Sequence, residues 1–216
     1  MVRRSRSAET AAFGEAVAEL GGDGLVVYPT ETFYGIGARA LHASAVHRVA
    51  ALKARLGESA KPIAVIVADR AMAARVVARV PRVADALMER FWPGPLTLVL
   101  PARDDVPAEL AAGTGAVGVR VSSHPIARAL AAAIDEPITA TSANRAGEPP
   151  ACDIAAARRA LGDAVDTYLD GGALAGGAGS TVLLVRDDGA RVIRAGAVAI
   201  EALRDVLGAF PLETPS

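Results

Sequence analysis

Apolar residues follow two rhythms along this chain. Short, nearly unbroken runs occur at Leu25 to Tyr28, "PIAVIVA", "PLTLVL", "AVGVRV", "PITAT", "VDTYLDGG", "STVLLV" and "ARVIRAG". Their length and β-branched content predict buried strands. Between them, apolar residues recur at helical spacing. "AETAAFGEAVAEL" predicts a helix stopped by Gly21 and Gly22, and "SAVHRVAALKARL" one with Val46, Val49 and Leu52 on a single face. Asp69 can cap "AMAARVVARV", Pro81 can open "PRVADALMERFW", and Asp153 can cap "IAAARRALG". "HPIARALAAAI" and "AVAIEALRDVLG" complete the helical set. Strands alternating with helices predict an α/β fold with much parallel pairing, and the adjacent strands near the C-terminus add an antiparallel portion, hence a mixed sheet. No shift in composition marks a linker, so residues 1–216 are expected to form one domain.

The first stretch to depart from a generic pattern is "VVYPTETFYGIGARA", Val26 to Ala40. A strand stopped by Pro29, a loop with Gly35 and Gly37, and then a helix is the layout of a phosphate cradle. Against that, "GIG" lacks the third glycine of a dinucleotide fingerprint, and no acidic residue ends the next strand. The loop therefore reads as a ligand wall or as a turn.

Composition narrows the field by exclusion. The formal net charge is −1, and aromatic residues are 4% of the chain. Neither a polyanion-binding surface nor a base-stacking platform is suggested. The single cysteine, Cys152, excludes an internal disulfide and points to a reducing compartment. "MVRRSRSAET" has no apolar segment behind it, and no run approaches bilayer length; the expectation is a cytoplasmic protein with no membrane association.

Four constellations could carry chemistry. Lys53, Arg55 and Lys61 in "ALKARLGESAKP" read either as a solvated helix face or as cations converging on phosphates. Thr139, Thr141, Ser142 and Asn144 stand where a strand runs into a loop, the usual ligand end of an open α/β sheet, or else form a polar turn. Arg120 lies in an otherwise apolar strand, so an internal or a ligand carboxylate must answer it. Ser180 and Thr181 open one strand, and Arg194 ends another with Gly196 behind it. His124 reads as a helix-start residue, and Trp92 with Phe91 as a core plug. Three histidines yield no nucleophile–base pair, and the carboxylates fall into no metal-ligand spacing.

In order, "PTETFYGIG", "KAR" with "KP", "WPGPLTLVL", "VGVRVSSHP", "ATSAN", "GEPP", "ST" and "VIRAG" resemble the YrdC-like threonylcarbamoyl-AMP synthases, over about Leu25 to Ala197. The resemblance implies a twisted, open mixed sheet with flanking helices around a central basic cavity. It implies formation of threonylcarbamoyl-AMP and pyrophosphate from L-threonine, bicarbonate and ATP with Mg2+. The adenylate would serve N6-threonylcarbamoyladenosine modification of tRNA, through a partner transferase complex and conceivable direct contact with tRNA. On the matching positions, Lys53 and Arg55 would be catalytic. Thr32, Arg120, Ala140 and Ser180 would contact threonine. Arg55, Lys61, Ala116, Ser142, Asn144, Pro150 and Arg194 would contact ATP.

The chain departs from that pattern in several places. The loop from Arg55 to Lys61 is long, and Ile66 replaces a histidine found in longer relatives. Ser122 and Ala195 stand where proline is usual, and the further C-terminal domain of longer relatives is not expected. Two other classes stay open. An RNA-binding module would use the same cavity for a phosphate backbone. The carbamoyl chemistry of domains in hydrogenase-maturation proteins is the second.

Overall fold

The computed structural model describes the backbone of residues 2–214 and side chains from residue 9 onward; Met1, Pro215 and Ser216 lie outside the described residues. Helix α1 (Val2–Gly21) ends where Gly22 and Asp23 turn back on it, Asp23 with a φ of 62°. Strand β1 (Val26–Pro29) follows, fully buried, and pairs antiparallel with β2 (Tyr34–Gly37). The stretch "VVYPTETFYGIG" is thus a hairpin rather than a strand, glycine loop and helix. Its glycines make room across the pair: a Cβ on Gly37 would lie 2.8 Å from the Tyr28 ring.

Among the described residues two mixed sheets form, where one was expected. The smaller has the order β7-β2-β1-β8, with β7 at Thr141–Ser142 and β8 at Thr167–Tyr168. The larger runs β11-β10-β9-β4-β5-β3-β6. Its strands are β3 (Val65–Ile66), β4 (Leu96–Pro101), β5 (Ala116–Arg120), β6 (Ile138–Thr139), β9 (Thr181–Arg186), β10 (Gly189–Arg194) and β11 (Leu212–Glu213). The predicted strand "PITAT" is divided between the two: β6 closes the large sheet, Ala140 crosses over, and β7 closes the small one. Thr139 ties that crossing. Its hydroxyl accepts from Ala38 N–H (2.9 Å) and donates to the Ile36 carbonyl (3.1 Å), while its carbonyl accepts from the buried Tyr28 hydroxyl (2.8 Å). The Ala140 N–H then reaches the Ala64 carbonyl at 2.7 Å.

Helices cover the sheets as their apolar faces require. Helix α2 (Ala43–Arg55) buries Val46, Val49 and Leu52, the predicted face. Only the first turn of "AMAARVVARV" is helical, as α3 (Arg70–Ala73). Asp69 caps it, accepting from Met72 N–H at 2.8 Å, after which Val77 bridges to Ala102. Helices α4 (Arg82–Phe91), α6 (Pro125–Ala133), α7 (Ile154–Leu161) and α8 (Ile200–Leu207) lie where expected, with Asp153 capping α7. His124 caps α6, its Nδ1 accepting from Ile126 N–H at 3.3 Å. A short helix, α5 (Ala108–Ala111), occupies the excursion after β4. Trp92 is buried and donates to the Leu96 carbonyl at 2.7 Å, as a core plug should.

Candidate active site

A cavity of about 630 Å³ lies over one face of the large sheet, with β2 and β7 of the small sheet along its side. Strand periodicity supplies the floor: Thr97 and Val99, Ala116, Gly118 and Arg120, and Val182 and Leu184 alternate onto the same face. Gly118 keeps it low, because a Cβ there would meet Thr97 and Ala64 at 3.3 Å.

One end is built by the turn Thr30–Phe33. The Thr30 hydroxyl donates to the Phe33 carbonyl (2.7 Å), accepts from the N–H of Thr32 and of Phe33 (both 3.2 Å), and lies 3.1 Å from the Thr32 hydroxyl. Thr32 is thereby held on the cavity wall, 6% exposed. Between the two threonines, Glu31 points behind the wall. One carboxylate oxygen accepts from Arg120 and the other from Ser122, whose own hydroxyl accepts from His124 N–H at 3.1 Å. The carboxylate that must answer Arg120 is therefore internal, and Arg120 still faces the cavity. Sequence reasoning missed Glu31, which stands 89 residues before Arg120 in a polar turn that carries no local sign of the pairing.

Across the cavity, the Ser180 hydroxyl lies 2.9 Å from that of Thr97, and the Arg194 guanidinium donates to the Ser180 carbonyl (2.9 Å) and hydroxyl (3.1 Å). Among the described residues Arg194 has no carboxylate partner. Gly196 permits this packing, since a Cβ would stand 2.3 Å from the Gly179 carbonyl.

The cavity gathers Thr32, Arg120, Ala140 and Ser180 with Lys61, Ala116, Ser142, Pro150 and Arg194. It does not gather Lys53, Arg55 or Asn144. Arg55 is the exposed last residue of α2 and has no place on the wall. Lys53 is buried, and its three N–H donors are spent on the Ser142 carbonyl (2.9 Å), the Asn144 carbonyl (3.0 Å) and the Glu58 carboxylate (2.5 Å). Burial pulls the Lys53 ammonium below its ordinary range, and Glu58 only partly offsets this. Lys53, expected among the catalytic residues, clamps the loop after β7 in this structure. Asn144 donates to the carbonyls of Arg145 (3.0 Å) and Glu148 (2.8 Å), leaving its buried Oδ1 without a protein partner. Ile66 is wholly buried beside Arg120 in the β3–β5 pair. Phe33, Tyr34, Arg191 and Ile193 also line the cavity, and sequence reasoning named none of them as a site residue.

Residues 18–196 match the family model of the Sua5, YciO and YrdC proteins, described as telomere recombination. The chain belongs to this family. It is 35% identical over 195 residues to the threonylcarbamoyl-AMP synthase of Bacillus subtilis, covering 90% of this chain and 56% of that protein. It is 37% identical over 156 residues to that of Halorhodospira halophila, covering 72% of this chain and 81% of that protein. The crystal structure of Pyrococcus abyssi Sua5 complexed with L-threonine superposes with a TM-score of 0.87 at 33% identity, over 93% of this chain and 58% of that one. The chain thus spans a little over half the length of the longer relatives. The family's fold, α/β with mixed sheets and flanking helices, is the fold described above.

Proposed function

We propose that this protein is an L-threonylcarbamoyladenylate synthase, a nucleotidyltransferase serving N6-threonylcarbamoyladenosine formation in tRNA. The observation that carries the reading is one cavity whose wall holds the hydroxyls of Thr32 and Ser180 and the guanidinium of Arg120 together with the cations Lys61 and Arg194. Thr32, Arg120 and Ser180 suit a small zwitterion with a hydroxyl. Lys61, Ser142 and Arg194 suit a nucleotide phosphate chain. The relatives named threonylcarbamoyl-AMP synthase and the threonine complex of P. abyssi Sua5 support the same assignment.

In this reading the threonine amine captures CO2 from bicarbonate as an N-carboxylate, the amine proton and the hydroxide of bicarbonate leaving as water. That carboxylate oxygen attacks the α-phosphorus of ATP, a new O–P bond forms, and the bond to the β-phosphate oxygen breaks with release of pyrophosphate. In the transfer step the attacking carboxylate and the phosphates are both anionic, so the protein's tasks are alignment and charge compensation. Arg120, braced by Glu31, would orient the α-carboxylate, with Thr32 and Ser180 at the side chain and Ala140 lending its backbone. Lys61 and Arg194 would face phosphates, Ser142 would donate to them, and Ala116 and Pro150 would pack against the nucleotide. Arg55 would reach the phosphates only after a rearrangement of the α2 end. Among the described residues no cluster of His, Cys, Asp and Glu forms a metal site. Magnesium would therefore enter on the phosphates of ATP. The partner transferase and direct contact with tRNA belong to the same proposal.

The test is incubation with ATP, bicarbonate and each amino acid, with pyrophosphate and the adenylate read by mass. Threonine alone should give both. Turnover with another amino acid would overturn the substrate, and salt-sensitive RNA binding without turnover would favour an RNA-binding module.

A further inference from the structure

One carboxylate beside the cavity has no part in the reaction just described. Glu58 follows the end of α2, where Gly57, with a φ of 89°, turns the chain back: the Gly57 N–H bonds the Ala54 carbonyl (3.0 Å) and the Glu58 N–H the Lys53 carbonyl (3.0 Å). This stop folds the Glu58 side chain over the helix it has just left. Its Oε1 lies 2.5 Å from Lys53 Nζ and its Oε2 2.6 Å from Lys61 Nζ.

The two cations differ in standing. Lys53 is 7% exposed and bound to two carbonyls besides, so it cannot leave. The Lys61 side chain is 63% exposed, stands on the cavity wall, and among the described residues has Glu58 as its ion-pair partner. Glu58 itself is 9% exposed. Burial pushes its carboxyl up, yet the bonds from the two lysines outweigh this and hold it below the usual carboxylate range. It is therefore an anion fixed on one side and exchangeable on the other. An exposed ammonium on a flexible stem gives up a single carboxylate easily when a more highly charged anion arrives.

We propose that Glu58 is an internal counter-ion that parks Lys61 at the cavity wall and competes with a polyphosphate for it, setting polyphosphate affinity and the ease with which pyrophosphate departs. The proposal rests on the function above only for the identity of the anion. It makes Glu58 a positioning residue acting through Lys61. Glu58→Gln keeps an acceptor for Lys53 and removes the charge that competes for Lys61.

The experiment is titration calorimetry with inorganic pyrophosphate and with ATP, on the wild type, Glu58→Gln, Lys61→Met and the double variant. Glu58→Gln should bind pyrophosphate about fivefold more tightly, with KM for ATP and kcat falling together. Lys61→Met should weaken binding about tenfold, and in its background Glu58→Gln should have no further effect, because the charge acts through Lys61. A merely structural Glu58 would lower the melting temperature and leave these constants, or raise KM. Unchanged affinity in Glu58→Gln, or tightening that persists without Lys61, overturns the inference and spares the synthase. A wild type that binds neither ATP nor pyrophosphate overturns both. If Glu58→Gln does not fold, Glu58→Asp, which draws the charge back from Lys61, should reproduce the tightening, and its absence would overturn the inference equally.

Discussion

The ammonium of Lys53 is bonded to the backbone of Ser142 and Asn144, 89 and 91 residues further along the chain, at 2.9 and 3.0 Å. A second bond, from Ala146 N–H to the Leu56 carbonyl at 3.0 Å, fastens the same loop to the same helix end. The basic end of α2 is thus a clamp on the loop that presents Ser142.

Lys53→Met should therefore act on folding as well as on turnover. It strands the Glu58 carboxylate with one exposed partner and leaves two carbonyls without a donor. The loss should be about 3–5 kcal/mol by urea unfolding. Adding Glu58→Gln should restore part of it. Lost turnover with unchanged stability would instead mean that Lys53 works on the phosphates.

Arg120→Lys keeps the charge and loses the fork that serves Glu31 and the cavity together. KM for threonine should rise at least tenfold, with KM for ATP little changed. Ser122→Ala removes the other bond to Glu31. It should cost about 1–2 kcal/mol and weaken threonine binding severalfold, since a loosened carboxylate no longer fixes the guanidinium. Paired titrations with threonine and ATP read both.

Gly196→Ala should be disproportionately harmful for one methyl group. The added carbon would press on backbone, 2.3 Å from the Gly179 carbonyl and 2.5 Å from the Ser180 carbonyl carbon, so Ser180 and Arg194 must shift. A stability loss of about 1–3 kcal/mol and a larger proportional loss of turnover are expected. Thermal melts beside steady-state rates decide it.

Tyr28 and Tyr34 should be silent near pH 10 in the folded protein. Burial pushes Tyr34 up to about 12, and burial also raises Tyr28 and Tyr168. Unfolded tyrosines ionise near pH 10, so their burial stabilises the fold fully below that pH and progressively less as pH rises towards the folded values, about 12 for Tyr34. The tyrosinate absorbance of Tyr28 and Tyr34 should rise only as the protein unfolds, and a Tyr168→Phe background isolates it. A reversible native titration near 10 would contradict the burial.

Most elements were legible because their patterns are local. The apolar face of α2, the Asp69 and Asp153 caps and the strand runs each depend on neighbours in sequence. The sheet count was not, because "PITAT" reads as one strand, and only partners elsewhere divide it at Ala140. The C-terminal β11 was missed because Leu212 and Glu213 form a strand only by pairing with β10. At the site, Arg120, Ser180 and Arg194 were visible as polar residues in or at the ends of apolar strands, and Thr32 came only through the family resemblance. Glu31 and Glu58 were not, since an acid in a polar loop carries no mark of the arginine or lysine it will meet.

The crossing at Ala140 sets a distance as well as a topology. Thr139 is bonded to the small sheet on one side through buried groups, and Ala140 to Ala64 of the cavity wall on the other. Widening the gap between the sheets would mean breaking several of those bonds at once. The two sheets therefore keep a set separation, and in the proposed reaction the cavity would work as a gauge for the combined length of its reactants.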